Sequence, residues 1–166
     1  MWTDLRQEIE QARQALGLSE RDFAPLPYTT DWRQLEETLY RTFCVLDHPT
    51  NRPRWLWDAF KPGAYALSNE EAPLATLLTL VDEEEQVWLM VNDAEDKFWF
   101  YQGRREAVRV VLNECYHLDE IYLLSKKYEW LLCLNHHDVL YGVGTPMRER
   151  LQARAARPVI YRDAIR

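Results

Sequence analysis

Two apolar runs near the middle of the chain constrain the fold more than any other feature of the sequence. Residues 86–91 read Gln-Val-Trp-Leu-Met-Val, residues 97–101 read Lys-Phe-Trp-Phe-Tyr, and an acidic loop separates them. Because successive side chains of a strand point to opposite faces, apolar residues at successive positions require cover on both faces. The two runs therefore predict a hairpin inside a sheet that is packed on both sides.

Helical periodicity surrounds this hairpin. Apolar residues recur at helical spacing over residues 4–16, and a second helix begins at Asp31, which forms a capping box with Gln34. Residues 55–60 fit a short helix or a strand, since so brief a run does not decide its period. Further helices are predicted near residues 73–81, 104–115 and 147–156, the last with Thr145 as its N-cap, and further strands near 120–125, 128–134 and 138–143.

Together these elements predict an α+β fold, with a mostly antiparallel sheet of about four to five strands and helices packed on it. A length of 166 residues fits a single domain with its own core. We expect an N-terminal helical arm at 1–46, an α/β core at 55–144, and a C-terminal helix with an Arg-rich tail at 145–166. The Pro-containing stretch 47–53 is predicted to link the arm to the core.

The charge balance of the chain limits its partners. There are 27 Asp and Glu against 20 Lys and Arg, which gives a net charge of −7. Such a charge disfavours nucleic acid and favours a basic protein partner. The exception is the Arg-rich tail, which carries six Arg between residues 148 and 166. It is expected to fold back onto the acidic surface or to form a solvated surface helix and, less favourably, to bind nucleic acid.

Cysteine content and hydropathy predict the compartment. Three Cys cannot all pair within one chain, and their sparse placement fits a reducing compartment. No apolar run approaches the ~20 residues that cross a bilayer, and the first residues are acidic where a secretory signal would be basic. We therefore expect a cytoplasmic protein without a membrane partner. The sequence does not determine its oligomeric state.

Four residues are of the types that ligate zinc in proteins. They form the pairs Cys115-x-His117 and Cys133-x-x-His136, which together make a set of two cysteines and two histidines. However, neither spacing is that of a standard zinc knuckle, and both cysteines stand in apolar surroundings, where a free Cys behaves as a small hydrophobe. No metal and no cofactor is therefore predicted, and these four residues remain the alternative metal set.

The run Asn135-His136-His137-Asp138 provides the candidate catalytic residues His136, His137 and Asp138. Histidine titrates near neutral pH, and a nearby carboxylate can orient it. Adjacent side chains on a strand point to opposite faces, so both imidazoles share a pocket only if the loop bends. No complete hydrolase signature accompanies them. The alternative interpretation is a polar connection whose Asn and His side chains hydrogen-bond the loop backbone.

Tryptophan and tyrosine residues provide candidate binding residues, since both types are preferred anchors at interfaces. Trp55 and Trp57 stand beside the Pro- and Arg-rich linker and are the aromatics most expected outside the core. The candidate binding residues are Trp55, Trp57, Tyr128, Trp130 and Asn135. The acidic runs at 82–85 and 93–96 are either solvated loop ends or two poles of an acidic docking face.

Residues 125–144, with the run Lys-Tyr-Glu-Trp-Leu-Leu-Cys-Leu-Asn-His-His-Asp and the end Gly-Val-Gly, resemble a bacterial family of unknown function. Trp55-Leu56-Trp57 resembles a further motif of that family. The resemblance covers about residues 55–144, leaves out the arm and the tail, and implies no activity, substrate or cofactor. A looser likeness, which rests on size, charge and class, is to polymorphic-toxin immunity proteins.

The leading hypothesis is a non-enzymatic protein-binding module, of the immunity-protein kind, that holds its partner through acidic loops and exposed aromatics. The alternative is a small hydrolase with a site at the 135–138 turn, beside Trp130 and Tyr128. That alternative requires a concave site in which at least one imidazole is open to solvent.

Overall fold

The computed structural model describes residues 4–48, 51–92, 97–115, 118 and 120–156, which form an α+β fold as predicted. The helices are α1 (Asp4–Ala15), α2 (Trp32–Phe43), α3 (Pro73–Thr79), α4 (Arg105–Glu114) and α5 (Thr145–Ala155), with a 3₁₀ helix at Leu56–Ala59. The strands are β1 (Phe23–Pro25), β2 (Tyr65–Leu67), β3 (Gln86–Asn92), β4 (Phe98–Arg104), β5 (Ile121–Ser125), β6 (Leu131–Leu134) and β7 (Leu140–Val143).

The strands form one sheet in the order β1-β4-β3-β5-β6-β7-β2, and every neighbouring pair is antiparallel. The predicted number of four to five strands is wrong, because the described residues contribute seven. The strands that the prediction missed, β1 and β2, have three residues each and form the two edges of the sheet. Segments this short show no periodicity, and β1 also ends in a proline, which sheets tolerate at an edge.

Both faces of the sheet are covered, as the apolar runs of β3 and β4 predict. Helices α1, α3, α4 and α5 pack on one face, where Leu89 and Leu123 lie in the core. Helix α2 and the 3₁₀ helix pack on the other face, where Met90 and Tyr122 are fully buried. Leu89 and Met90 are adjacent in β3 but lie on opposite faces, because successive side chains of a strand point to opposite sides of the sheet. Tyr122 and Leu123 of β5 are divided in the same way.

Residues 4–46 contribute to both faces of the sheet and to one of its edges. Helices α1 and α2 lie on opposite faces of the sheet, and β1 between them pairs with β4. The capping prediction for α2 is confirmed, since the Asp31 carboxylate accepts from the backbone N–H of Gln34 at 3.1 Å. The prediction of Thr145 as an N-cap is wrong: α5 begins at Thr145, and Gly144 precedes it with a φ of 88°.

Helix α5 is tied to the acidic surface by its arginines. Arg150 bonds the carboxylate of Asp82 at 3.0 Å, and Arg154 bonds that of Glu70 at 2.8 Å. These contacts agree with the fold-back of the Arg-rich segment as far as residue 156, and residues 157–166 lie outside the described residues. Among the described helices, none has the length and apolar character that a bilayer crossing requires.

Candidate functional site

The turn between β6 and β7 is built by the side chain of Asn135. Its Oδ1 accepts hydrogen bonds from the backbone N–H groups of His137 at 3.1 Å and Val139 at 3.0 Å. The backbone carbonyl of Asn135 accepts from the N–H of Asp138, whose φ of 56° lies in the left-handed region that Asp tolerates. Asn135 is 2% exposed, so its part in the turn is structural, as the polar-connection interpretation predicts for it.

The turn brings the two imidazoles together. The ring centroids of His136 and His137 lie 4.0 Å apart, so the backbone bends here and the strand rule of opposite faces does not hold. The Nδ1 atom of His136 lies 2.6 Å from Oε1 of Glu120, and the His136 side chain is 28% exposed. One imidazole is therefore oriented by a carboxylate and still reaches solvent.

Glu120, which precedes β5, is the central acceptor of the site. Glu120 is only 2% exposed. Oε1 accepts from the indole Nε1 of Trp57 at 3.2 Å in addition to its bond with His136, and Oε2 accepts from the Tyr122 hydroxyl at 3.1 Å. A carboxylate is buried at acceptable cost only when several donors satisfy it, and these three do so.

Around this carboxylate lies a continuous surface of rings, which we call the aromatic–imidazole patch. It consists of Trp55, Trp57, His136, His137 and Tyr141. Trp57 stacks on Trp55 with centroids 5.8 Å apart and on Tyr141 at 5.9 Å. Both imidazoles contact the tryptophans at centroid distances of 5.2–6.1 Å. The two tryptophans and the tyrosine are half-buried, so each ring packs on the protein and also faces solvent.

The Tyr122 hydroxyl and the Cys133 thiol beneath the patch are held in their neutral forms by burial. Burial, together with the nearby Cys133 and Glu120 groups, raises the pKa of Tyr122 well above its usual value. Burial likewise raises the pKa of the Cys133 thiol, which is fully enclosed. Cys133 is therefore a buried thiol against Tyr122, and no hydrogen bond joins it to His136 among the described residues. The pair cannot act as nucleophile and base in this arrangement.

The candidate site residues fall into two separate places. Trp130 is 3% exposed and donates through Nε1 to Glu85, and Tyr128 packs edge-on against Trp88. Both precede β6, whereas Asn135 and the histidines follow it. Five residues of extended chain span ~17 Å, so Trp130 and Tyr128 do not border the turn. The structure therefore does not bring Trp130 and Tyr128 to the 135–138 turn.

Asp138 forms no ion pair with either imidazole among the described residues. It lines a cavity of about 700 Å³ between α3, α4 and the sheet. The carboxylate that orients His136 is instead Glu120, 16 residues earlier in the chain, which the sequence analysis missed. The signal for it in the sequence is an acidic residue directly before a strand that begins Ile-Tyr-Leu-Leu.

The described members of the alternative metal set, Cys115, Cys133 and His136, do not lie together as a group of metal ligands. Cys115 lies in the core on the face of α4, and Cys133 lies in the core on the face of α2. His117 falls outside the described residues. Within the described ranges, no three His, Cys, Asp or Glu side chains are grouped as metal ligands.

The acidic run at 82–85 pairs with arginines, although the side chains of Asp82, Glu83 and Glu84 remain 69–83% exposed. Asp82 pairs with Arg150, Glu83 with Arg105 at 3.3 Å, and Glu84 with Arg104 at 3.4 Å. The run also lies at the end of β3 that is distant from the aromatic–imidazole patch. The second acidic run, 93–96, falls outside the described residues.

Comparison with known proteins places the chain in a family. No curated protein and no solved structure shows significant similarity to it. A family of unknown function, DUF6756, matches residues 1–155, which include α1 and α2 as well as the patch and α5. The match therefore extends beyond the 55–144 range of the sequence resemblance. The chain belongs to the DUF6756 family, whose function is unknown.

Proposed function

We propose that the protein is a protein-binding module that holds a basic protein partner against the aromatic–imidazole patch. The observation that carries the proposal is the buried Glu120 carboxylate, which fixes Trp57 and His136 at the surface through hydrogen bonds of 3.2 Å and 2.6 Å. Side chains fixed before binding lose less rotamer entropy when a partner arrives. Tryptophan and tyrosine are also the residues most enriched among energetic hot spots.

The charge of the surroundings supports a basic partner. The exposed Asp58 lies near Tyr141, whose pKa is raised by burial and, to a smaller extent, by electrostatic interaction with groups that include Asp58. A Lys or Arg of the partner gains from the exposed Asp58 carboxylate at the edge of the patch. The net charge of −7 steers such a partner over longer range. Neutralisation of a toxin is the role that we propose within this class.

The test of this proposal is affinity capture from the native host with matched aromatic variants. Trp55→Ala and His137→Ala remove contact surface without touching the Glu120 hydrogen bonds. Tyr28→Ala is the control, because Tyr28 is an aromatic residue that is 94% exposed and lies outside the patch. We expect the wild type and Tyr28→Ala to retain the same stoichiometric protein and both patch variants to lose it. Equal capture by all four proteins would contradict the proposal.

A second candidate function is general acid–base catalysis by His136. The observation that favours it is the 2.6 Å contact between a buried carboxylate and an imidazole that is 28% exposed, as the hydrolase hypothesis requires. The base would have to activate water or a substrate hydroxyl, since the Cys133 thiol is buried with a raised pKa. Ester, amide and phosphodiester substrates provide the test. Turnover that His136→Gln abolishes would favour the enzyme over the binding module.

A further inference from the structure

Three ring nitrogens of the aromatic–imidazole patch are available to a ligand. Nδ1 of His136 faces Oε1 of Glu120, whereas no hydrogen bond among the described residues engages Nε2 of His136 or either ring nitrogen of His137. The His136 side chain reaches solvent, and His137 is exposed. The 135–138 turn uses only the backbone N–H of His137, so these nitrogens are not needed to hold the turn together.

The Glu120 carboxylate fixes the tautomer of one imidazole. A carboxylate accepts hydrogen bonds and donates none, so Nδ1 of His136 carries the proton and Nε2 keeps its lone pair. Histidines that ligate metals show the same arrangement, in which one ring nitrogen binds the ion and the other donates to a carboxylate that orients the ring. Glu120 is itself held in place, because it also accepts from Trp57 and Tyr122.

The distance between the two imidazoles is close to that of two rings that share one metal ion. Their centroids lie 4.0 Å apart and their planes are tilted by 49°, so the rings are not stacked face to face. Two imidazoles on one tetrahedral zinc ion, with Zn–N bonds of ~2.1 Å, have centroids ~5 Å apart. A small rotation of the exposed His137 ring supplies the difference, since the turn holds only the backbone of that residue.

We propose that His136 and His137 bind a divalent transition-metal ion of the zinc kind. Nε2 of His136 and one ring nitrogen of His137 are the protein ligands, water completes the coordination, and Glu120 orients His136 without binding the ion. Such a site needs only two protein ligands, so it agrees with the finding that no three candidate ligands are grouped within the described ranges. The net charge of −7 attracts a cation, and imidazole suits zinc, nickel and copper.

Calorimetric titration of the whole protein with zinc chloride, in a buffer that does not bind metals, tests the proposal. We expect one zinc ion to bind per chain and magnesium chloride to give no binding, because magnesium prefers oxygen ligands. His136→Gln and His137→Gln should each weaken zinc binding at least about tenfold, since each removes one of the two protein ligands. Absence of zinc binding by the wild type, or undiminished binding by either variant, would overturn the proposal.

Two further variants separate this site from general attraction of cations. His48→Gln is the matched control, because His48 is an exposed histidine outside the patch, and it should keep the zinc affinity of the wild type. An equal loss in His48→Gln would contradict the proposal. Glu120→Gln should weaken zinc binding by about tenfold or more, the usual effect of removing the group that orients a ligating histidine, and unchanged affinity would overturn that role. Far-UV circular dichroism verifies that all four variants are folded. The titration uses the protein alone, so its outcome is independent of the proposed protein partner.

Discussion

Replacement of Glu120 by alanine is expected to lower the free energy of unfolding by about 2–4 kcal/mol. The hydroxyl of Tyr122 is fully buried, so the loss of its acceptor Oε2 leaves a donor without adequate compensation, at a cost of about 1–3 kcal/mol. Trp57 and His136 reach solvent, so water replaces part of their bonds and each loss costs about 0.5–1 kcal/mol. Relief from burying a carboxylate offsets a share of this sum.

Chemical unfolding in urea, followed by circular dichroism, measures this effect. For a chain of 166 residues the same change corresponds to a melting temperature about 5–12 °C lower. Glu120→Gln keeps one oxygen acceptor and the volume, so we expect it to cost less than Glu120→Ala. Glu37→Ala on the exposed face of α2 is the control and should change stability by less than about 0.5 kcal/mol. A Glu120→Ala protein as stable as this control would refute the assignment of Glu120 as the shared acceptor.

Three further predictions follow from other parts of the structure. Burial raises the pKa of Glu85, so ionising this carboxyl lowers the stability of the folded protein as pH rises. Glu85→Gln should therefore raise the melting temperature at about pH 7. The gain should disappear below the ordinary pKa of 4.5, where the carboxyl is protonated in both states. An equal gain at both pH values would contradict that sign. Gly144→Ala should lower the free energy of unfolding by about 3 kcal/mol or more, because φ is +88° and the new Cβ would clash with the carbonyl oxygen of Glu129. Gly17→Ala is the comparison, because φ is +66° and the new Cβ would meet no atom within 4 Å. It should lower the free energy of unfolding by about 1 kcal/mol in the same urea titration. Equal costs would show that the close approach at Gly144 is absent. All three thiols are buried with raised pKa values, about 12 for Cys44 and about 11 for Cys115, so a thiol reagent at pH 8 should label none in the native protein and three after unfolding.

Much of the fold can be predicted from local sequence signals. The β3–β4 hairpin and the packing on both faces follow from apolar residues at successive positions, and the start of α2 follows from Asp31 and Gln34. The end of β5 at Ser125 agrees with the predicted strand 120–125, whereas β6 begins at Leu131 rather than at residue 128. Each of these features is encoded within a few neighbouring residues, where spacing alone carries the information.

The edge strands and the site depend on contacts between distant residues. Phe23–Pro25 becomes a strand only because the edge of β4 is available to pair with it. The partner of His136 is likewise not its neighbour Asp138 but Glu120, which reaches the turn because β5 and β6 are paired antiparallel. The ring cluster forms because the 3₁₀ helix places Trp57 beside Tyr141 of β7. No spacing rule relates these residues, so the sequence identified some members of the patch but not the carboxylate that organises them.

Site-specific photocrosslinking in the native host tests most directly whether the aromatic–imidazole patch is the binding surface. A benzophenone amino acid replaces His137 within the patch in one strain and Tyr28, which is 94% exposed, in a second strain. We expect illumination to join one protein of basic isoelectric point to the chain from position 137 and not from position 28. Crosslinking of that protein from position 28 alone, or of no protein from position 137, would contradict the account.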